Sequence, residues 1–312
     1  MRWILLGSYL LLTVGPVGAQ LYSDGLLQAK QAKDSANLQF TVTELLSSAS
    51  PEVRDKLRNV TVVSPARSPV DPDFPLGFFS NSAAQEIIIP VQSKKFFNDY
   101  LVLRAWFEKR GCDQTSVASY LAIVMTRRPE SRSVGSPLDA FGVSESNAIQ
   151  VQYVDSVSLG NLNSGMKFIL AHELGHIYYG DGIADTLEDQ IAREERADAF
   201  AMDILAAAHE RPYGVVPLFS ATRFNDPSME HAPFGTHPLS HSRLDALAGR
   251  LRRVPEQFFS PQQDADKERE RTFRLANEID KIVVALRHEE FVRARDELVR
   301  EYPPSTFKLA CR

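Results

Sequence analysis

Residues 166–179 read MKFILAHELGHIYY, and this stretch determines how the rest of the chain is interpreted. Its apolar side chains recur at helical spacing, and Gly180 and Gly182 follow it directly, which predicts a helix that ends near residue 179. Gly175 lies inside that helix although glycine costs about 1 kcal/mol there relative to alanine. We therefore expect another part of the chain to approach the helix closely at Gly175.

The predicted helix carries the pattern HExxH at residues 172–176. His172 and His176 are four residues apart and lie one above the other on one face, which lets both imidazoles bind a single ion. Glu173 is one residue along and points beside that ion, where a metal-activated water needs a base. Because the chain has only 7 histidines in 312 residues, the pattern predicts a metal site rather than two unrelated histidines on a helix face.

A second helix is predicted over residues 191–209, which are rich in Ala, Leu, Arg and Glu. A catalytic zinc ion takes three protein ligands and keeps one position open. Glu194, Ala197 and Asp198 share one face of this helix, and the small alanine lets that face pack against the first helix. The spacing therefore predicts Glu194 as the third metal ligand. It also predicts that Asp198 accepts a hydrogen bond from a ligand histidine.

Three motifs occur along the chain in the order found in one group of peptidases: HELGH at 172–176, Glu-x-x-Ala-Asp at 194–198 and HPLSHSR at 237–243. Together they resemble the gluzincin-type zinc peptidases related to the CAAX prenyl protease, HtpX and BepA. The resemblance covers residues 141–247, about a third of the chain. It implies a zincin-like α+β fold, Zn²⁺ as the cofactor, and protein or peptide substrates, including misfolded envelope proteins.

The resemblance also implies roles for individual residues. Glu194 matches the third zinc ligand of this group, in agreement with the spacing. His237 matches a residue that either stabilises the oxyanion or blocks the open zinc position in a resting state, and both roles stay open. Arg243 is implied as a tether for Asp198. The regulatory peptidases of the ImmA/IrrE kind share HELGH and the following Glu-containing helix, but they are cytosolic.

The resulting hypothesis is an exported zinc endopeptidase whose metal is held by His172, His176 and Glu194. Glu173 is expected to take a proton from water and pass it to the leaving amine. An extended substrate is expected to pair with an edge strand at residues 148–154. Three other functions stay open: a regulatory peptidase of the ImmA/IrrE kind, a metal-binding chaperone or assembly factor with a latent peptidase site, and a purely structural zinc module.

The whole sequence predicts a mainly helical α+β fold with a small β-sheet. Short strands are expected at residues 87–89, 120–126 and 148–154, and further helices at 94–110, 244–251 and 264–300. The chain divides into four predicted segments: a signal peptide at 1–19, an N-terminal segment with a proline-rich linker at 20–80, a zinc metallopeptidase domain at 81–255, and a charged helical C-terminal extension at 256–312.

The first twenty residues predict an exported protein, either periplasmic or secreted. Arg2 precedes an apolar run, and Val17-Gly18-Ala19 forms a small-x-small cleavage site, as in a removable secretory signal. The run is too short for a typical membrane span, so membrane association is expected only through an uncleaved signal. Cys112 and Cys311 can form a disulfide in an oxidising compartment, but their spacing alone does not decide whether the two sulfurs meet.

The composition excludes several classes of protein. A chain of 312 residues with 44% hydrophobic and 24% charged side chains is a globular average, which excludes wholesale disorder and a multi-span membrane protein. The net charge of -5 and a pI near 5.9 leave no excess of Lys and Arg to neutralise phosphates. Nucleic acid is therefore not an expected partner. The oligomeric state is not predicted.

Overall fold

The computed structural model describes residues 20–182, 186–224, 237, 239–286 and 291–311. The predicted signal peptide at residues 1–19 lies outside these ranges, as does Pro238 of the third motif. Within the described ranges, no helix combines the length and the apolar character that a membrane crossing needs.

Helices make up most of the described chain, in agreement with the predicted mainly helical α+β class. They are α1 (Asp24–Gln28), α2 (Gln31–Ser47), α3 (Pro51–Leu57), α4 (Val91–Arg110), α5 (Thr115–Met125), α6 (Ser131–Val134), α7 (Pro137–Phe141), α8 (Glu145–Ile149), α9 (Gln152–Tyr179), α10 (Leu187–Ala207), α11 (Val215–Thr222), α12 (His241–Arg253), α13 (Ala265–Leu286) and α14 (Phe291–Glu301). Short 3₁₀ helices cover Pro255–Phe258 and Pro304–Leu309. The helices predicted from the sequence are confirmed with shifted ends, and the one expected at 264–300 is seen as α13 and α14.

The described residues form one small sheet of three strands, β1 (Thr61–Val63), β2 (Phe79–Asn81) and β3 (Glu86–Ile88), in the order β1-β3-β2. Strand β1 pairs with β3 in parallel, and β2 pairs with β3 antiparallel. The strand predicted at 87–89 is confirmed as β3. Because β3 is the central strand, β2 is an edge strand, and it contacts α9.

The strand predicted at residues 120–126 is wrong, because these residues belong to helix α5. Every residue from 120 to 125 is buried, so this part of the helix has no polar face. A fully buried helical segment and a fully buried strand give the same continuous apolar run, and periodicity cannot separate them.

The strand predicted at residues 148–154 is also wrong. The segment contains the last turn of α8 and the first turn of α9, with Gln150 as the C-cap of one helix and Val151 as the N-cap of the next. The apparent alternation of polar and apolar residues thus comes from the junction between two helices. The edge strand that this segment was expected to offer to a substrate does not exist there.

Helix α9 lies at the centre of the fold and packs against α4, α10 and α11. Nearly every side chain from Gly165 to Ile177 is buried, which places the HExxH motif inside the protein. The same continuous apolar core reaches from Tyr22 near the start of the described chain to Phe307 near its end. The N-terminal segment and the C-terminal helices therefore pack onto the same core as the motif, and the segment boundaries stay predictions.

Cys112 and Cys311 form a disulfide, with their Cα atoms 5.0 Å apart. This answers the question that the sequence left open. Cys112 follows the left-handed Gly111 that ends α4, and Cys311 follows the second 3₁₀ helix. Phe307 of that helix stacks on Phe141 of α7 with ring centres 4.9 Å apart. The end of the chain is therefore attached to the helical core both covalently and by aromatic packing.

A tight crossing of α9 and the start of α11 gives a prediction for stability. Gly214 is the N-cap of α11, and a Cβ atom added there would collide with the backbone of Gly165 and Asn161 on α9. Backbone cannot yield as a flexible side chain can, so Gly214→Ala is expected to lower the free energy of unfolding by about 1–3 kcal/mol. Denaturant unfolding measures the change.

Gly160→Ala is the matched control for that substitution. Gly160 also lies on α9, but nothing is within 4 Å of a Cβ atom added there. Alanine is a better helix former than glycine, so this variant is expected to gain up to about 1 kcal/mol. Equal stability of the two variants would show that α9 and α11 do not cross as closely as the structure has them.

Candidate metal centre

The centre is built where α9 and α10 touch. A Cβ atom added at Gly175 would lie 3.0 Å from the Cα atom and 3.2 Å from the carbonyl oxygen of Ala197. Only the absence of a side chain at Gly175 and the small one at Ala197 allow this approach, which confirms the close contact expected from the sequence. As a consequence, the motif helix and the helix that carries Glu194 face each other directly.

Three predicted ligands converge at this contact. The Nε2 atoms of His172 and His176 are 3.1 Å apart. Each is also 3.3 Å from an oxygen of the Glu194 carboxylate. All three side chains are buried, so their donor atoms face one another in the interior and not the solvent. The structure therefore brings together the three residues that the HExxH spacing and the second helix predicted.

His237 joins this group from the third motif. Its Nδ1 atom is 2.9 Å from both Glu194 oxygens and 3.3 Å from Nε2 of His172. Its Nε2 atom is 2.9 Å from the carbonyl oxygen of Phe78 and 3.3 Å from Oε1 of Glu173. The carbonyl oxygen of Phe78 can only accept, so Nε2 carries a hydrogen, and Nδ1 is the atom that faces Glu194 and His172.

The four donor groups fit a divalent metal ion. Donor atoms of His172, His176, Glu194 and His237 all lie within 4.8 Å of one another. Two ligand atoms bound to tetrahedral zinc at about 2.0–2.1 Å lie about 3.3 Å apart, which is close to the 3.1 Å and 3.3 Å separations seen here. This group of three histidines and one glutamate, buried except for the partly exposed His237, can hold a metal ion.

Asp198 and Arg243 form a buried pair behind His172. Asp198 Oδ1 is 2.8 Å from Nδ1 of His172. Nε of Arg243 donates to Asp198 Oδ2 at 2.8 Å and its NH2 group donates to Oδ1 at 2.9 Å. Arg243 NH1 also lies 2.9 Å from Glu194 Oε2. The structure thus places both residues next to the partners implied for them, and Arg243 contacts Glu194 in addition.

Glu173 lies beside the donor group and is not part of it. The side chain is 1% exposed, and its Oε2 atom has no hydrogen-bond partner among the described residues. A buried carboxylate oxygen without a partner is costly unless something else binds there. Glu173 therefore offers a free proton acceptor at the edge of the candidate metal centre.

The charges around the centre keep its carboxylates ionised. Burial by itself would raise the pKa of Glu173, but the neighbouring His237 and His176 outweigh it and lower the pKa to about 2. Burial likewise opposes ionisation of Glu194, while His237 and Arg243 hold its pKa well below the usual value. Burial would lower the pKa of His176, but its hydrogen bonds to Asp181 and Glu194 raise it to about 9.

Two contacts were missed by the sequence reasoning. Nδ1 of His176 is 3.0 Å from Oδ2 of Asp181, and His237 meets the carbonyl oxygen of Phe78. An available signal for Asp181 is its place directly after Gly180, at the turn that ends the motif helix. The Phe78 contact has no side-chain signal, since only the fold brings that carbonyl group to the centre.

An apolar cavity of about 70 Å³ opens next to the centre. Its walls come from the chain before β2, from α9 and from α11, and its apolar lining includes Phe74, Leu76, Phe168, Ile169, Leu218 and Phe219. His172, Glu173 and His237 line its polar side. One water occupies about 10–15 Å³ of cavity volume. The cavity therefore has room for several non-hydrogen atoms, which is about one apolar side chain.

Comparison with known proteins supports a peptidase. Residues 144–259 match the family model described as Peptidase U49, and this segment contains all three motifs. No curated protein and no solved structure gave a match. The matched segment, together with the buried histidine and glutamate group, indicates that the protein is a peptidase.

Proposed function

We propose that the protein is a zinc-dependent endopeptidase that acts outside the cytoplasm. The observation that carries this proposal is the convergence of His172, His176 and Glu194 beside the Oε2 atom of Glu173, for which no described residue is a hydrogen-bond partner. Three nitrogen and oxygen donors of this kind are typical of catalytic zinc. Zinc held there would supply Lewis acidity at a scissile carbonyl group and would lower the pKa of water.

Residues of the chain transfer the proton, position His172 and control access to the site. Glu173 takes up the proton of the attacking water and delivers it to the leaving amine. Asp198 and Arg243 hold the His172 ring in place through its Nδ1 atom. Nδ1 of His237 lies against Glu194 and His172, where it closes the site. A substrate then reaches the centre only when His237 moves, and after moving, its ring is available to stabilise the developing oxyanion.

Strand β2 is our candidate for the substrate-binding edge, in place of the segment at 148–154. It pairs with β3 on one side and contacts the motif helix. The carbonyl oxygen of Phe78, the residue before it, accepts a hydrogen bond from His237. An extended peptide added to this edge would pass over the centre. The adjacent cavity lined by Phe168, Leu218 and other apolar residues would receive an apolar side chain of that peptide.

Two observations support an exported protein. The start of the chain has the pattern of a secretory signal. The disulfide between Cys112 and Cys311 belongs to an oxidising compartment, because cytosolic thiols are kept reduced in most organisms. We place the activity in the periplasm or outside the cell, in the degradation of damaged envelope or secreted proteins. We also propose a relationship to HtpX and BepA, because HELGH, Glu-x-x-Ala-Asp and HPLSHSR follow one another in the order found in that group.

Metal removal tests the proposed function. Purified protein is expected to contain about one zinc ion per chain by elemental analysis, and to cleave casein and short peptides with apolar residues. A chelator should abolish cleavage, and added zinc should restore it, because the metal supplies the Lewis acid. Peptides with only charged side chains are expected to be cleaved more slowly. Zinc-free protein that still cleaves casein would contradict the proposal.

A latent site is the second candidate, and the position of His237 favours it. With Nδ1 of His237 among the donors, the set has four members, as in closed zinc sites. The protein would then act as a chaperone or assembly factor that binds zinc without cleaving. The same experiment separates the two candidates, since a latent protein would hold zinc and leave unfolded casein intact.

A further inference from the structure

We propose that Asp181, held by Arg196, is a positioning residue that orients His176 and thereby sets the affinity of the metal centre. The inference rests on the proposed zinc site and adds two residues to it. Asp181 and Arg196 lie outside the three motifs' ligand positions, and neither offers a donor atom to the centre. Their effect would pass through the His176 ring alone.

Asp181 contacts His176 through both its backbone and its side chain. It follows Gly180, whose left-handed backbone ends α9, and its backbone N–H donates to the carbonyl oxygen of His176 at 2.9 Å. Its Oδ2 atom is 3.0 Å from Nδ1 of the same residue. The carboxylate is nearly buried, with 8% of the side chain exposed. The turn after the helix thus brings the carboxylate back onto the ring that it must orient.

Arg196 holds the other oxygen of this carboxylate. Its guanidinium group pairs with Asp181 Oδ1 and lies over the ring of Tyr179, 4.5 Å from its centre. One turn earlier on α10, Arg193 NH1 donates to the carbonyl oxygen of Gly182 at 2.7 Å. Of these two arginines, only Arg196 contacts the Asp181 carboxylate, and the same helix supplies Glu194.

Helix stability does not explain an aspartate at this place. The C-terminal end of a helix carries a partial negative charge, so an acidic residue there is unfavourable for α9. The gain must come from the contacts of the carboxylate. When Nδ1–H of His176 donates to Asp181, the neutral ring that binds a metal has its lone pair on Nε2, which faces Nε2 of His172 at 3.1 Å and therefore the centre.

His172 is held by the same kind of arrangement. Its Nδ1 atom contacts Asp198, and Arg243 donates a hydrogen bond to Asp198. Each histidine of the HExxH motif therefore has its own aspartate, and each aspartate has its own arginine. The two arginines differ in solvent exposure: 3% of the Arg243 side chain is exposed, against 44% of the Arg196 side chain. Arg196 can thus be replaced with little risk to folding.

The test measures zinc affinity by competition with a coloured chelator, and the melting temperature of the metal-free protein beside it. Asp181→Ala is expected to weaken zinc binding by about 10- to 100-fold, which is the usual effect of losing such a partner. Asp181→Asn keeps an oxygen that accepts from Nδ1–H and should lose less. Arg196→Ala should weaken binding in the same direction, with the metal-free melting temperature unchanged.

Arg193→Ala is the matched control, since it removes an arginine from the same helix and the same turn without touching Asp181. Its zinc affinity is expected to equal that of the parent. Cobalt(II) substitution adds a readout of ligand geometry, and its visible spectrum should shift in Asp181→Ala and Arg196→Ala but not in Arg193→Ala. Parent affinity and an unshifted spectrum in both Asp181→Ala and Arg196→Ala would overturn the inference. Failure of the parent itself to bind zinc would instead overturn the proposed function.

Discussion

Glu173→Gln is expected to lower kcat/KM for peptide hydrolysis by about 10²- to 10⁴-fold, the range that a positioned general base contributes. Glutamine has the same shape, so it keeps the contact that Oε1 makes with His237 at 3.3 Å. It replaces Oε2, which has no hydrogen-bond partner in the described part of the chain, with an amide NH2 group that cannot accept the proton of water. Steady-state kinetics measure the loss.

The expected loss has to occur with the metal still bound. Glu173 contributes no atom to the donor group, so zinc content by elemental analysis should equal that of the parent. Glu195→Gln is the matched control, because it removes the same charge next to Glu194. The Glu195 carboxylate accepts from the hydroxyl group of Ser242 at 2.6 Å, and it is not a donor of the centre. Glu195→Gln should keep full activity, and full activity in Glu173→Gln would end the proposed mechanism.

The convergence of His172, His176 and Glu194 could be predicted because it follows from helical spacing and from one helix contact. His172 and His176 are one turn apart, and the face shared by Glu194, Ala197 and Asp198 follows from the period of 3.6 residues. Gly175 and Ala197 indicated the helix contact that brings these faces together, and the structure has it. Relations within a helix, and between two helices with small residues at their contact, are local enough to be visible in the sequence.

The contacts that the sequence could not give come from parts of the chain far apart. The carbonyl oxygen of Phe78 meets a histidine 159 positions later, and backbone carbonyl groups have no signature in the sequence. The apolar run at 120–126 was misread because burial on all sides removes the helical period. The segment at 148–154 was expected to be an edge strand, but in the part of the chain that the structure describes the edge strand beside α9 is β2, which pairs with β3.

Arg243→Leu is expected to lower the free energy of unfolding of the metal-free protein by about 3–5 kcal/mol. Arg243 is 3% exposed, and it bonds to Asp198 and Glu194, which are 3% and 4% exposed. Leucine fills part of the space but leaves Asp198 without its arginine partner and Glu194 with His237 as its remaining cationic neighbour. Removal of one partner from a buried ion pair costs far more than the pair contributes, because the remaining charge is neither hydrated nor compensated. Urea unfolding measures the difference.

Arg250→Leu is the control for that experiment, since it removes another arginine from α12 that also pairs with α10. Arg250 binds Asp203 at 2.6 Å, and the Asp203 side chain is 69% exposed. Water can hydrate Asp203 when its partner is lost, so the expected cost is about 0–1 kcal/mol. Similar losses in the two variants would show that Arg243 acts as an ordinary surface arginine.

The double variant Arg243→Leu with Asp198→Leu separates folding from metal binding. Replacing both partners of a buried pair with apolar residues removes the uncompensated charge, so the double variant should recover part of the stability lost in Arg243→Leu. Zinc affinity should not recover, because Nδ1 of His172 would have lost the carboxylate that lies 2.8 Å away. Recovery of both properties together would mean that Asp198 and Arg243 serve the fold alone and leave the orientation of His172 to its packing.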